Sequence, residues 1–235
     1  MTEIWSYLAR DPLLWLTMTL AAYLLGTWVF ALARRNPAAN PAVIAVVVLV
    51  ILLLITGTPY DTYFEGAQFV HFLLGPATVC LAFPLWENLP RVRKAALPLI
   101  AALVVGSVVS MGASLGILWA AGADMAMLAS FAPKAATAAI AIGISEQLGG
   151  SPTLTALAVI LTGITGALVA TPLLNALGLT DWRARGFAVG VAAHGFGTAR
   201  AFQVHETAGA FAGLGMGLNA VVTAVLAPLV LQLFQ

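Results

Sequence analysis

Charge is what this chain has least of. Only 8% of its 235 residues are Asp, Glu, Lys or Arg, where a soluble domain carries about 25%. With 61% hydrophobic residues and a mean hydropathy of +1.00, the composition excludes a soluble globular domain and points to an integral membrane protein. Cysteine is nearly absent too. The single Cys80 excludes an intrachain disulfide and a cysteine-based metal site; it reads as a small core hydrophobe. The histidines His71, His194 and His205 are scattered, so no metal centre is expected. HExxH and GxSxG runs are missing, and no nucleophile is assembled with a base, which speaks against an enzyme and against a cofactor. Gly195-x-Gly197 is no dinucleotide fingerprint, because no strand precedes it. Without a basic patch or aromatic–basic interleaving, nucleic acid is not an expected partner. The formal net charge of +1 identifies no partner.

What is present is a series of long apolar runs, each long enough to matter to a bilayer. They imply an all-α, polytopic membrane protein of about 6–8 hydrophobic segments in one domain over residues 1–235. Glu3 and the lack of a basic n-region make the N-terminus the start of a first helix rather than a cleaved signal peptide. Segments are expected at Pro12–Ala33, Pro41–Thr56, Gln68–Leu89, Ala95–Ala120, Met125–Leu148, Thr153–Leu177, Gly186–Phe202 and Glu206–Phe234. Gly57 to Gly66 reads as an acidic, tyrosine-bearing interfacial loop. Gly75-Pro76 and Pro84 predict an interrupted or kinked third segment. Small residues at Gly106, Ser107, Ser110, Gly112, Ser114 and Gly116, at Gly163 and Gly166, and at Gly209, Gly213 and Gly217 predict seams of close helix packing.

Two stretches break the pattern. Gly186–Phe202 carries His194, Gly195, Gly197, Thr198 and Arg200 inside an apolar run. It reads as a broken helix whose second half begins at Thr198. Ser130–Thr137 holds Pro133, Lys134 and Thr137 and reads as a second break. Charge asymmetry tests the topology. With Arg34 and Arg35 in the cytoplasm, Arg91, Arg93 and Lys94 also fall inside, and Asp61, Glu65 and Asp124 fall outside. Arg183 and Arg185 fall inside only if segment five dips in and returns. The same logic lets segment seven dip from the other face, as in transporters with inverted repeats. At a spacing of 57, Pro76 matches Pro133, Ala82 matches Ala139, Gly106 matches Gly163 and Asp124 matches Asp181. Two readings stand: an old duplication, or chance in a chain rich in alanine and glycine.

Of the ten Lys and Arg residues, only Lys134 and Arg200 sit inside apolar segments; the other cations lie in tails, loops or segment ends. A cation at bilayer depth costs roughly 3 kcal/mol or more. Helix N-termini beside such cations suit an anion. Arg200 and Lys134 would then hold a carboxylate, with Thr198, Thr137 and the Gly195–Gly197 backbone bonding its oxygens. Alternatively each cation snorkels, or pairs with Glu146 or Glu206. His194 either shuttles a proton or is a neutral, hydrogen-bonded core residue. The threonines either bond substrate or cap their own half-helices. Asn219 either reaches the site or fastens two helices.

The chain resembles the LrgB/CidB family over nearly its whole length. The resemblance rests on Asn40-Pro41, Tyr60-Asp61-x-Tyr63-Phe64-x-Gly66, Gly75-Pro76-Ala77, Pro133-Lys134-x-x-Thr137, Gly149-Gly150, Ala184-Arg185-Gly186, His194-x-x-Gly197-Thr198-Ala199-Arg200 and Met216-Gly217-Leu218-Asn219. It implies two functions. One is a holin- or antiholin-like regulator of murein hydrolase export and cell lysis, acting with a small LrgA-like membrane protein. The other is transport of a small carboxylate (glycolate, glycerate or pyruvate), since the plastidic glycolate/glycerate translocator looks like a fusion of the two components. Either implies a multi-pass protein of the bacterial inner membrane. The partners expected are therefore a small carboxylate substrate, an LrgA-like protein, the lipid bilayer and further copies of the chain in a homo-oligomer. The transport reading agrees with the buried cations; a lytic pore does not require them.

Overall fold

The computed structural model describes residues 11–34, 36, 39–73, 76, 86 and 89–234. The described residues form helices and no strand. Scarce polar residues are spent on helix starts. Asp11, Asn40, Asp124, Ser151 and Asp181 each accept a hydrogen bond from a backbone N–H one to three residues into the helix that follows, which satisfies groups a helix end leaves free. Proline follows the cap at Pro12, Pro41 and Pro152, where its missing N–H costs nothing.

Contacts divide the chain into two compact units, Met1–Cys80 and Leu81–Gln235. The first holds α1 (Pro12–Leu32), α2 (Pro41–Thr56) and α3 (Tyr60–Phe72). Among the described residues, α1 is one of four helices long and apolar enough to cross a membrane, whereas α2 has 16 residues. Gly57 ends α2 in the left-handed conformation, at φ 62°, which glycine adopts without steric cost. The sequence between Gly57 and Gly66 is a helix from Tyr60 on, not the expected loop. Tyr63 meets Trp15 edge to face with ring centroids 5.9 Å apart. Gly66 lies so close to α1 that a Cβ there would stand 2.8 Å from the Cβ of Trp15. Tertiary packing on α1 thus overrides a composition that reads as loop. Gly75, Ala77, Cys80, Ala82 and Pro84 lie outside the described residues, as do Arg35 and the first ten residues.

The second unit holds a short α4 (Leu89–Lys94), α5 (Ala96–Ala120), α6 (Met125–Phe131), α7 (Ala138–Gln147), α8 (Pro152–Ala176), α9 (Trp182–Val204) and α10 (Glu206–Leu231), closed by a 3-10 turn. α5, α8 and α10 (with the 3-10 turn) are the other three candidate spans. Their outer faces carry exposed Leu97, Val105, Leu161 and Val221, as lipid-facing surfaces do.

α6 and α7 form a hairpin, hairpin A. Hydroxyls tie the end of α6 to the end of α7 and the start of α8, and Leu128, Ala129, Ile144 and Leu148 pack together on Leu115 and Leu118 near the end of α5. The Thr155 Oγ1 hydroxyl lies 2.7 Å from Ser145 Oγ and 3.0 Å from the Ser130 carbonyl, and the Ser151 N–H donates to Ser130 Oγ at 2.7 Å. Segment five therefore enters, breaks at 132–137 and returns to the face it came from.

α9 is two helical arms joined at a kink, and forms a second hairpin, hairpin B. Ala193 (φ −134°, ψ 19°) and His194 (φ 39°, ψ −134°) leave helical geometry, and the chain folds back on itself. Trp182 and His205, from opposite ends, stack with centroids 4.9 Å apart. Gly197 on the returning arm lies against Val189 and Ala193 on the entering one. The entering arm runs alongside α10, with Gly186 against Ala208 and Gly190 against Ala212.

Hairpin B opens on the face that carries Lys94, Asp181, Arg183 and Thr207, which line one groove. Hairpin A opens at the other end of α5, beside Asp124. The two hairpins enter from opposite faces. The duplication reading gains a structural basis here. Met125, Ala138 and Gln147, which bound the arms of hairpin A, fall 57 places before Trp182, Gly195 and Val204, which bound those of hairpin B. Asp124 and Asp181 cap equivalent arms. The close seams differ in part from expectation. Gly163 and Gly166 do receive His194, Phe196 and Ala193, but Gly112, Gly116 and Gly217 face open space. Close approach to α10 comes from Gly186 and Gly190 together with Gly209, which lies against the Phe202 ring.

Asp181 also pairs with Arg183. That contact holds its carboxyl at about 2, down from 3.8. Its contribution is present above the ordinary carboxylate range and lost as pH falls through about 2. Both groups are about half exposed, so water screens the pair and the cap dominates. Asp181→Ala is expected to cost about 1 kcal/mol, read as a lowered midpoint in thermal unfolding of the detergent-solubilised protein.

Candidate functional site

The tips of the two hairpins meet inside the second unit. Asn219 of α10 is the fastening. It is 1% exposed, accepts a hydrogen bond from Ser107 of α5 at 2.7 Å and donates through Nδ2 to the Ala135 carbonyl at 3.0 Å. Of the two alternatives for this residue, the bonds are those of a fastening: they join α10 to α5 and to the break of hairpin A. Asn219→Ala would strand the buried Ser107 hydroxyl and the Ala135 carbonyl. It is expected to lower stability by about 2 kcal/mol, measurable by chemical unfolding in mixed micelles.

His194 forms the tip of hairpin B and is 3% exposed. Its Nε2 lies 2.9 Å from the Val159 carbonyl of α8. A carbonyl only accepts, so Nε2 carries the proton and Nδ1 keeps a lone pair. No hydrogen bond to Nδ1 is found among the described residues. Gly163 makes room for the ring, since a Cβ there would stand 2.7 Å from His194 Cε1. A φ of 39° is unusual for a residue with a side chain, and such strain persists only where surroundings hold it. The break therefore falls at Ala193–His194 and the returning arm starts at Gly195, not at Thr198. Thr198 is not a cap: its hydroxyl donates to the His194 carbonyl at 2.9 Å, within its own arm. Gly195 is exposed with nothing near it, and Gly197 serves the approach of the two arms.

Lys134 sits in the break of hairpin A, half-buried. Its neighbour Ala136 packs on Val159, the residue whose carbonyl holds His194. Through Ala136 and Val159 the break of hairpin A thus adjoins the tip of hairpin B. Among the described residues Lys134 has no hydrogen bond and no acidic partner; the ion pair found there is Arg183–Asp181. Pairing with Glu146 is not seen. Thr137 stands at the cap position of α7, but its side chain makes no capping bond. That leaves the first N–H groups of α7 without a side-chain cap, three residues after Lys134 in the chain. Lys134, Thr137, His194, Thr198 and Asn219 are thus gathered around the two tips.

Arg200 is not among them. It lies back along hairpin B, in a cleft with Ala170, Thr171 and Leu174 of α8 and with Arg185. Its Nε is buried and without a partner, and Nη1 reaches Gln203 only at 3.4 Å. Pairing with Glu206 is not seen either. The expected pincer of Arg200 and Lys134 on one carboxylate is therefore not formed. Arg185, set aside as a segment-end cation, is 8% exposed. It donates to the Leu179 carbonyl at 3.1 Å and to Asn175 Oδ1 at 2.7 Å. Its guanidinium lies 4.7 Å from the centre of the Trp182 ring. The signal available in the sequence was its place one turn inside a helix capped by Asp181.

Comparison with known proteins gives these features a family. "Holin-like protein CidB" of Staphylococcus epidermidis is 35% identical over 199 residues, covering 85% of this chain and 87% of the relative. The protein of the same description from Staphylococcus aureus is 34% identical over the same share. "Antiholin-like protein LrgB" of Bacillus cereus is 30% identical over 218 residues, 93% of this chain and 95% of that one. No solved structure matches. The model of the LrgB-like family matches residues 19–233, across both units, and the chain belongs to that family.

Proposed function

We propose that this chain is a carrier for a small monocarboxylate of the glycolate, glycerate or pyruvate type, set in a bacterial inner membrane and working with an LrgA-like partner. One observation carries the reading. Lys134 lies in the break where the two opposed hairpins meet, and no acid among the described residues pairs with it. An unpaired cation at such depth is expensive unless a mobile anion visits. Broken helices meeting near mid-membrane are where secondary carriers bind substrate. In this reading Lys134 attracts the carboxylate, and the free N–H groups at the start of α7 and the Thr137 hydroxyl bond its oxygens. His194 offers Nδ1 to the substrate hydroxyl or to a proton. Asn219 holds the tip in place rather than touching the substrate.

The relatives' names favour a second reading, a holin- or antiholin-like regulator of lysis with no substrate. A lytic pore passes neutral solutes of the same size as readily as anions, whereas a carrier saturates and discriminates. Proteoliposomes loaded with the purified chain, with and without an LrgA-like protein, separate the two. The carrier reading expects saturable uptake of labelled glycolate or pyruvate that changes between two pH values, without leakage of labelled glycerol. Leakage of all three without saturation would establish the pore.

A further inference from the structure

The cleft that holds Arg200 is separate from the tips, and the function just proposed does not use it. It lies between the C-terminal half of α8 and the two arms of hairpin B, nearer the hairpin's mouth. Two arginines, Arg185 and Arg200, line it. They are held differently. Arg185 is fixed by Leu179, Asn175 and the Trp182 ring, which uses two of its five N–H donors and leaves the others. Arg200 has a buried Nε with no acceptor. Thr171 lines the same cleft, and no hydrogen bond from its hydroxyl is found among the described residues. The ion pair among the described residues, Arg183–Asp181, neutralises neither arginine. Two arginines and an unused hydroxyl therefore line one partly apolar cleft in which, among the described residues, Arg200 Nε finds no acceptor.

We infer that this cleft is a second anion site, which takes one small oxyanion between Arg185 and Arg200 with Thr171 donating to it. Guanidinium groups suit carboxylate and phosphate oxygens alike, through paired N–H donors. The same chemistry is offered by a free organic acid or phosphate and by the phosphodiester of an anionic lipid. The mouth of hairpin B shares its face with Lys94 and Arg183, the side that charge asymmetry assigns to the cytoplasm. Both sources are present there.

The test uses the full chain in nanodiscs, in a Lys134→Met background that silences the tips. Sodium glycolate and sodium phosphate are titrated against sodium chloride at matched ionic strength in zwitterionic lipid. A third arm replaces part of that lipid with phosphatidylglycerol. Anion binding is read as a rise in the thermal unfolding midpoint. Arg200→Gln should weaken the response at least tenfold, and Thr171→Val, which removes one hydroxyl from an otherwise similar side chain, about threefold. The second variant keeps the test decisive should the first fail to insert. A response to glycolate or phosphate in neutral lipid identifies a soluble acid; one confined to phosphatidylglycerol identifies a headgroup. Equal responses from the parent, Arg200→Gln and Thr171→Val in every arm would overturn the site.

Discussion

Lys134→Met should reduce carboxylate uptake at least a hundredfold while the protein still inserts and unfolds at an unchanged or higher temperature. Methionine keeps most of the length and apolar stem of lysine and discards only the charge. The parent ammonium is half-buried in the break of hairpin A, with no hydrogen bond and no acid among the described residues. Removing it relieves a desolvation cost in the resting protein. The same change removes the attraction on which a carboxylate would depend. A hundredfold loss corresponds to about 3 kcal/mol of binding, within the range for truncating a buried charge partner. A purely structural lysine would give the opposite pattern, lowered stability with transport intact. Uptake rates in proteoliposomes, set beside thermal unfolding of the same preparations, distinguish the two.

Gly186→Ala, like Gly190→Ala, should be among the most damaging single methyls in the second unit. Gly186 of hairpin B lies directly on the backbone of α10. A Cβ there would stand 2.7 Å from the carbonyl carbon and Cα of Ala208, and closer still to its carbonyl oxygen. Backbone atoms inside a helix cannot step aside as the end of a flexible side chain can. The hairpin must then lift from α10, and the stacking of Trp182 on His205 is lost with it. The expected cost is about 3 kcal/mol, at the upper end for overpacking. Gly217→Ala is the control. It lies inside α10 with nothing within 4 Å, so alanine there should stabilise by roughly 0.5–1 kcal/mol through helix propensity alone. Unfolding midpoints of the two variants should move in opposite directions.

Much of this architecture is legible in the residues, for reasons that differ by element. Helix bounds are legible because apolar runs end at capping side chains. α2 begins and ends where Asn40-Pro41 and Gly57 require, and α5 is bounded within one residue of expectation. Re-entry of segment five is legible because an extra crossing would place Arg183 and Arg185 against the charge rule. The repeat is faint in residue identity because the two hairpins are braced by different chemistry. Ser130, Ser145 and Thr155 tie hairpin A, and aromatic stacking and close glycines hold hairpin B.

The misplacements are tertiary in origin. Glycines mark where a helix can break most cheaply, but the break in hairpin B falls at His194. There the Val159 carbonyl and the space over Gly163 compensate a strained backbone. Arg200 follows His194 by six places, about a turn and two-thirds of helix, and so it faces α8 and Arg185 rather than Lys134. Arg185 reads as a segment-end cation, yet it is buried. Its burial depends on Asn175, Leu179 and Trp182, which only the fold brings around it. The helix over Tyr60–Phe72 is hidden by a polar, aromatic composition, and becomes one through packing on Trp15.

The central claim is that a carboxylate enters the junction of the two hairpin tips beside Lys134. Thr137→Cys, in a chain freed of its native thiol by Cys80→Ser, places one reactive group at that junction. The measurement is its rate of labelling by a charged methanethiosulfonate in proteoliposomes, with and without glycolate, glycerate or pyruvate. Labelling should slow in the presence of at least one of these acids and not with glycerol, and the protection should vanish when Lys134→Met is added. A labelling rate indifferent to all three acids, in a protein that is otherwise reactive at that cysteine, would contradict the account.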